Sequence, residues 1–196
     1  MNLQNCIVPY PVRSTPMHSH MGPQRQHHQP AMDLVALYTD QVPDADVSRQ
    51  RAKEFPQLKI YPTIAETLQR GGDRLAVDGV VLIGEHGNYP FNEKRQHLYP
   101  RYEFFQEIVS VFRDSGRSVP VFNDKHLSYR WDEAKEMYDT ARSNQMPLMA
   151  GSSVPLAQRI PPLDLPPEAH IEEAVSIHGG GLAVSYTHLR AHETRH

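Results

Sequence analysis

Four consecutive polar residues, Asn123-Asp124-Lys125-His126, close the apolar run Val119-Pro120-Val121-Phe122. A carboxylate beside an ammonium can orient a hydroxylated molecule or pass a proton to a carbonyl oxygen, and a lysine partly withdrawn from water is suited to that task. An exposed ion pair of the same type would contribute little. The functional reading is preferred, because four polar groups at the end of a buried strand are otherwise hard to place. A second such end is Gly84-Glu85-His86-Gly87, behind the β-branched run Val80-Val81-Leu82-Ile83. A third is Asp40, behind Leu34-Val35-Ala36-Leu37-Tyr38-Thr39.

These groups need elements to hold them. Residues 32–40 read as a strand buried on both faces, residues 78–84 as the most strand-like run, β-branched and apolar, and 59–61, 119–123 and 147–151 as shorter strands. Between them lie helical patterns. Residues 45–55 follow a turn and cap at Pro43-Asp44 and offer Val47, Ala52 and Phe55 to a core. Thr63-Ile64-Ala65-Glu66 is a capping box, and the helix it opens stops at Gly71-Gly72. Residues 100–115 carry Phe104, Phe105, Ile108, Val109, Val111 and Phe112, with Gly116 as the stop. Residues 130–144 place Trp131, Ala134, Met137, Tyr138 and Ala141 at helical spacing. Arg101, Arg113 and Arg117 read as a solvated helix face and its end. Strands alternating with helices predict an α/β fold, a Rossmann-like and mainly parallel sheet with helices on both faces. In such sheets ligands bind outside the carboxyl ends of the strands. Asp40, residues 84–87 and residues 123–126 are therefore expected on one rim.

The chain has 196 residues, 39% hydrophobic and 22% charged, with a formal net charge of −3. That balance gives no global electrostatic case for nucleic acid or an anionic membrane, and no apolar run is long enough to span a bilayer. One cysteine, Cys6, excludes an internal disulfide. With no basic start and apolar core in the first ten residues, a cytoplasmic protein is expected. Of twelve histidines, only His86, His97 and His126 lie in the well-patterned middle. Glu85, His86 and His126 together would make a metal-ligand set. No tight spacing supports that set, so one hydrogen-bonded histidine per loop and no metal is the stronger expectation. Residues 1–31, rich in Pro, Gln and His, are expected to be irregular and disordered.

Taken in order, the middle of the chain resembles the nucleotide-binding domain of the Gfo/Idh/MocA oxidoreductase family. The likeness rests on Val35-Ala36-Leu37-Tyr38-Thr39-Asp40, on Ile60-Tyr61-Pro62-Thr63-Ile64-Ala65-Glu66-Thr67-Leu68, and on Val121 to Leu127 with Pro147-Leu148-Met149-Ala150-Gly151 behind it. Ile83-Gly84-Glu85-His86-Gly87-Asn88-Tyr89-Pro90 points to a bacterial branch of that family. The resemblance implies a nicotinamide cofactor, NAD or NADP, acting on a hydroxylated or sugar-like small molecule. It implies that Asp40, Gly84, Glu85 and His86 border the cofactor, and that Asp124, Lys125 and His126 are catalytic. It also implies a homo-oligomer of the intact protein. The family's Gly-x-Gly-x-x-Gly turn does not stand upstream of Asp40, where Gly22 is the only glycine. A Rossmann-like protein that binds a small molecule without redox chemistry is therefore the alternative, and a metal-dependent hydrolase or lyase is a further one.

The expected organisation is an irregular stretch at 1–31, the Rossmann-like domain at 32–153, and a Pro-rich linker with the start of a truncated second domain at 154–184. Residues 185–196 resemble translated sequencing-adapter read-through and are expected to be a non-native tail, which makes the chain a fragment.

Overall fold

The computed structural model describes residues 6–9, 32–44, 46–84, 87–151, 166, 168–170 and 172–173. The chain divides into two compact units, residues 1–150 and 151–196. In the second unit, Ala169 N donates to Pro166 O at 2.9 Å and closes a turn.

The first unit is built on six strands and four helices: β1 (Cys6–Pro9), β2 (Ala36–Thr39), α1 (Ser48–Glu54), β3 (Lys59–Ile60), α2 (Ile64–Gln69), β4 (Val80–Ile83), α3 (Arg101–Ser115), β5 (Val121–Asp124), α4 (Trp131–Ser143) and β6 (Leu148–Gly151). The strands form one sheet in the order β3-β2-β1-β4-β5-β6. β2 is parallel to β3, and β4 is parallel to β5. β1 is antiparallel to both of its neighbours, β2 and β4. β2 and β4 therefore point the same way across it. The expected α/β, Rossmann-like class is observed, with one strand reversed in its middle. That strand lies inside the stretch expected to be irregular. Four residues ending in a proline carry no readable period, and β1 draws its hydrogen bonds from strands on both sides.

Register fixes the rim. Cys6 faces both Thr39 and Ile83, and Leu82 faces Asn123. The carboxyl ends of β2, β4 and β5 therefore stand level at one edge of the sheet.

Helices cover both faces. On one face, Phe104, Phe105, Ile108, Val109, Val111 and Phe112 of α3 pack with Ile64 and Leu68 of α2, Met137 and Ala141 of α4, and Val80, Leu82 and Val121 of the sheet. On the other, Leu34, Leu37 and Leu58 pack with Ala52 and Phe55 around α1. Burial of each such large side chain contributes about 1.5–3 kcal/mol. The N-cap half of the expected capping box forms, with Glu66 N donating to Thr63 Oγ1 at 3.1 Å; the Glu66 carboxylate returns to the Thr63 hydroxyl, at 3.2 Å, and not to the backbone N–H. Gly116 closes α3 at φ +63°, and Arg117 N then bonds back to Phe112 O at 3.1 Å. Ahead of α1, Asp46 rather than Asp44 accepts from Ser48 N, at 3.0 Å.

Three side chains depart from the sequence reading. Trp131 and Tyr138, placed on a core-facing stripe, are 80% and 54% exposed. Trp131 is the first residue of α4. Arg101, placed on a solvated face, is 1% exposed. Among the described residues, no helix is long and apolar enough to cross a membrane.

Candidate functional site

The turn behind β5 is held from inside by Asn123. Its side chain is fully buried, and Nδ2 donates to His126 O at 2.9 Å and to Asp124 O at 3.3 Å. An amide at this strand end closes the chain back on itself. Among the described residues Asn123 Oδ1 has no hydrogen-bond partner. The tight turn forces Lys125 to φ +67°, in the left-handed region that long side chains avoid. Such strain is typical of ligand sites and costs about 1–3 kcal/mol. The Lys125 ammonium meets the Asp124 carboxylate, with Nζ 2.6 Å from Oδ2, and the two side chains are 15% and 17% exposed. This is an ion pair largely withdrawn from water.

His126 turns toward α3. Its Nε2 lies 3.0 Å from Nη1 of Arg101, the first residue of that helix. The Arg101 guanidinium also lies over the Tyr99 ring, 5.2 Å from its centroid. Gly84, at the end of β4, lies against the arginine stem; a Cβ there would fall 2.8 Å from Arg101 Cγ. Gly84 is thus a glycine because Arg101 passes over it. Burial first, and then the positive charges of Arg101 and Lys125, hold the His126 pKa down at about 4, with Asp124 opposing them.

At the end of β2, Asp40 is engaged by two tyrosines. Tyr38 donates to Oδ1 at 2.8 Å and Tyr89 donates to Oδ2 at 2.6 Å. Burial and the Asp40 carboxylate both push the two tyrosine pKa values up. Burial and the same carboxylate raise Glu107. Asn88 N donates to Gln41 Oε1 at 2.7 Å, so the segment behind β4 is tied to the segment behind β2. That segment then folds back: Phe91 bridges His97, and His97 Nε2 donates to Tyr89 O at 2.8 Å. Phe91, His97 and Tyr99 stack in sequence, with centroids 4.3 and 4.2 Å apart, and lead to Arg101.

The rim therefore gathers Asp40, Gly84, Asp124, Lys125 and His126, all expected there. Glu85 and His86 lie outside the described residues. Arg101 is the participant the sequence reading missed. Its only local signal was the extended alternation His97-x-Tyr99-x-Arg101 running into a helix.

A dinucleotide is not well served by these residues. In folds that bind one, the phosphate turn follows the central strand at the carboxyl rim. Here β1 is reversed, so its carboxyl end, at Pro9, lies level with Val80 at the opposite edge. Each Asp40 oxygen, the expected ribose acceptor, already takes a tyrosine hydroxyl. A metal is not favoured at His126 Nε2, which faces a guanidinium, and no group of three ligating side chains occurs among the described residues. A cavity of about 300 Å³, lined by Phe112, Arg113, Gly116, Arg117, Ser118 and Met146 among others, lies at the amino end of β5, away from this rim.

Comparison with protein-family models, with curated proteins and with solved structures finds no match to this chain.

Proposed function

We propose that the chain binds a hydroxylated or sugar-like small molecule at the carboxyl rim of β2, β4 and β5, with Asp124 and Lys125 as its principal contacts and no redox chemistry. The observation that carries this reading is the strained turn at Lys125, which holds a shielded Asp124–Lys125 pair at a strand end. A carboxylate accepts from ligand hydroxyls, and an ammonium donates to a hydroxyl or carbonyl oxygen. Thermal unfolding against hexoses, inositols and 2-hydroxy acids tests it. A ligand at ten times its Kd adds about 1.4 kcal/mol, or about 3–6 °C in Tm. A rise with at least one compound, absent in Asp124→Asn, supports the reading. No rise with any compound, or an equal rise in the variant, overturns it.

A second reading is a nicotinamide-dependent oxidoreductase, with NAD or NADP as cofactor. The strand order β3-β2-β1-β4-β5-β6, which is that of dinucleotide-binding folds, favours it. The protein would then supply position and charge to the cofactor's hydride chemistry. Titration of NADH followed by its fluorescence separates the two. A saturable change favours the oxidoreductase, and none at millimolar NADH removes it.

A further inference from the structure

We infer that Arg101 is a positioning residue that fixes His126 as the Nδ1–H tautomer of neutral imidazole, so that Nε2 is withheld from acting as a base at the rim. The tautomer stands whether or not the rim binds a ligand; the role toward a ligand rests on the rim-binding reading.

A guanidinium has donors only, and it stays charged at any pH the fold survives. Its Nη1 is 3.0 Å from His126 Nε2. A hydrogen bond between two nitrogens needs a lone pair on one of them, and only Nε2 can supply it. The single imidazole hydrogen must then sit on Nδ1. In histidine generally, the partner of one ring nitrogen sets the state of the other.

Arg101 has little freedom to leave. It is 1% exposed, it starts α3, its guanidinium lies over Tyr99, and its stem is held against Gly84. Among the described residues, the charges acting on His126 are Arg101 from α3 and Lys125 and Asp124 from its own turn. Two of the three are cationic, and burial adds to their effect, so a second proton is disfavoured at neutral pH. The catalytic role that the resemblance implied for His126 is then not that of a base at Nε2, and of the groups in this turn only the Asp124 carboxylate is placed to accept a proton, since Lys125 is already an ammonium paired with it.

Long-range 1H–15N NMR of the full chain labelled at histidine tests this. The His126 signals are assigned by their loss in His126→Gln. The expected result at pH 7 is a pyrrole-type Nδ1, a pyridine-type Nε2 and no titration above about pH 5. A pyridine-type Nδ1, or a midpoint at the ordinary histidine value, overturns the inference. Arg101→Lys, which keeps a cationic donor, should retain the tautomer. Arg101→Met should mix the two tautomers and move the midpoint upward; an unchanged tautomer in that variant overturns the role of Arg101. Should Arg101→Met not fold, the wild-type spectrum and Arg101→Lys still decide. An Nδ1–H tautomer in a protein that fails the thermal test with every compound supports the assignment and removes only the ligand role.

Discussion

Arg101 and His126 meet at 3.0 Å, Nη1 to Nε2, and the contact joins the first turn of α3 to the turn behind β5. A buried cation against an imidazole is unfavourable unless the imidazole stays neutral. The contact therefore makes stability depend on pH.

In the folded chain the His126 pKa lies at about 4, below its ordinary value of 6.5. Between those values the unfolded chain holds more protons at this site, so stability falls as pH falls through that window. The contribution lost between pH 7 and pH 4.5 is about 2–3 kcal/mol. His126→Gln, whose side-chain oxygen can still accept from Arg101, should lose that much less over the same interval. Urea unfolding of both proteins at the two pH values measures the difference, and equal losses would refute it.

The rim itself was legible in the sequence. Apolar runs ending in Asp40, Gly84 and Asn123-Asp124 announced strands, and alternation with helices placed their ends on one edge. α3 was legible nearly to the residue, because Phe104, Phe105, Ile108 and Phe112 make a continuous stripe and Gly116 stops it. What escaped was tertiary. An arginine at the start of an amphipathic helix looks solvated until the glycine it packs on is brought beside it. Strand β1 escaped because Cys6–Pro9 has no pattern of its own. Trp131 shows the converse: helical spacing places a residue on a stripe but does not supply a surface beneath it.

Gly84→Ala should destabilise the fold by about 1–3 kcal/mol, the usual cost of overpacking a tight site. The new Cβ would meet Arg101 Cγ at 2.8 Å, with Arg101 Cα at 3.5 Å behind it, so the helix end must shift. Chemical denaturation gives the cost. A change below about 0.5 kcal/mol, within the range of ordinary surface substitutions, would mean that the contact is not tight.

Lys125→Gly and Lys125→Ala remove the same ion pair but differ in backbone freedom. At φ +67° the glycine variant should be the more stable of the two by about 1 kcal/mol, although glycine is the more flexible residue when unfolded. Both should lose the ligand-dependent rise in Tm. Equal stability of the two variants would show that the turn carries no strain.

Tyr89→Phe removes the 2.6 Å bond to Asp40 and should lower stability by about 1 kcal/mol. Combined with Asp40→Asn in a double-mutant cycle, it should show a coupling of about 0.5–1.5 kcal/mol. Additive effects would mean that Tyr89 and Asp40 do not hold the two strand ends together.

The most direct test is a footprint. 1H–15N NMR spectra of the full chain, recorded with and without the compound that raises Tm most, should show shifts at the amides of Asp40, Gly84, Gly87, Asp124, Lys125 and His126. Shifts clustered instead at Arg113, Gly116, Arg117 and Ser118, around the cavity at the other end of β5, would place binding away from the rim and contradict the account.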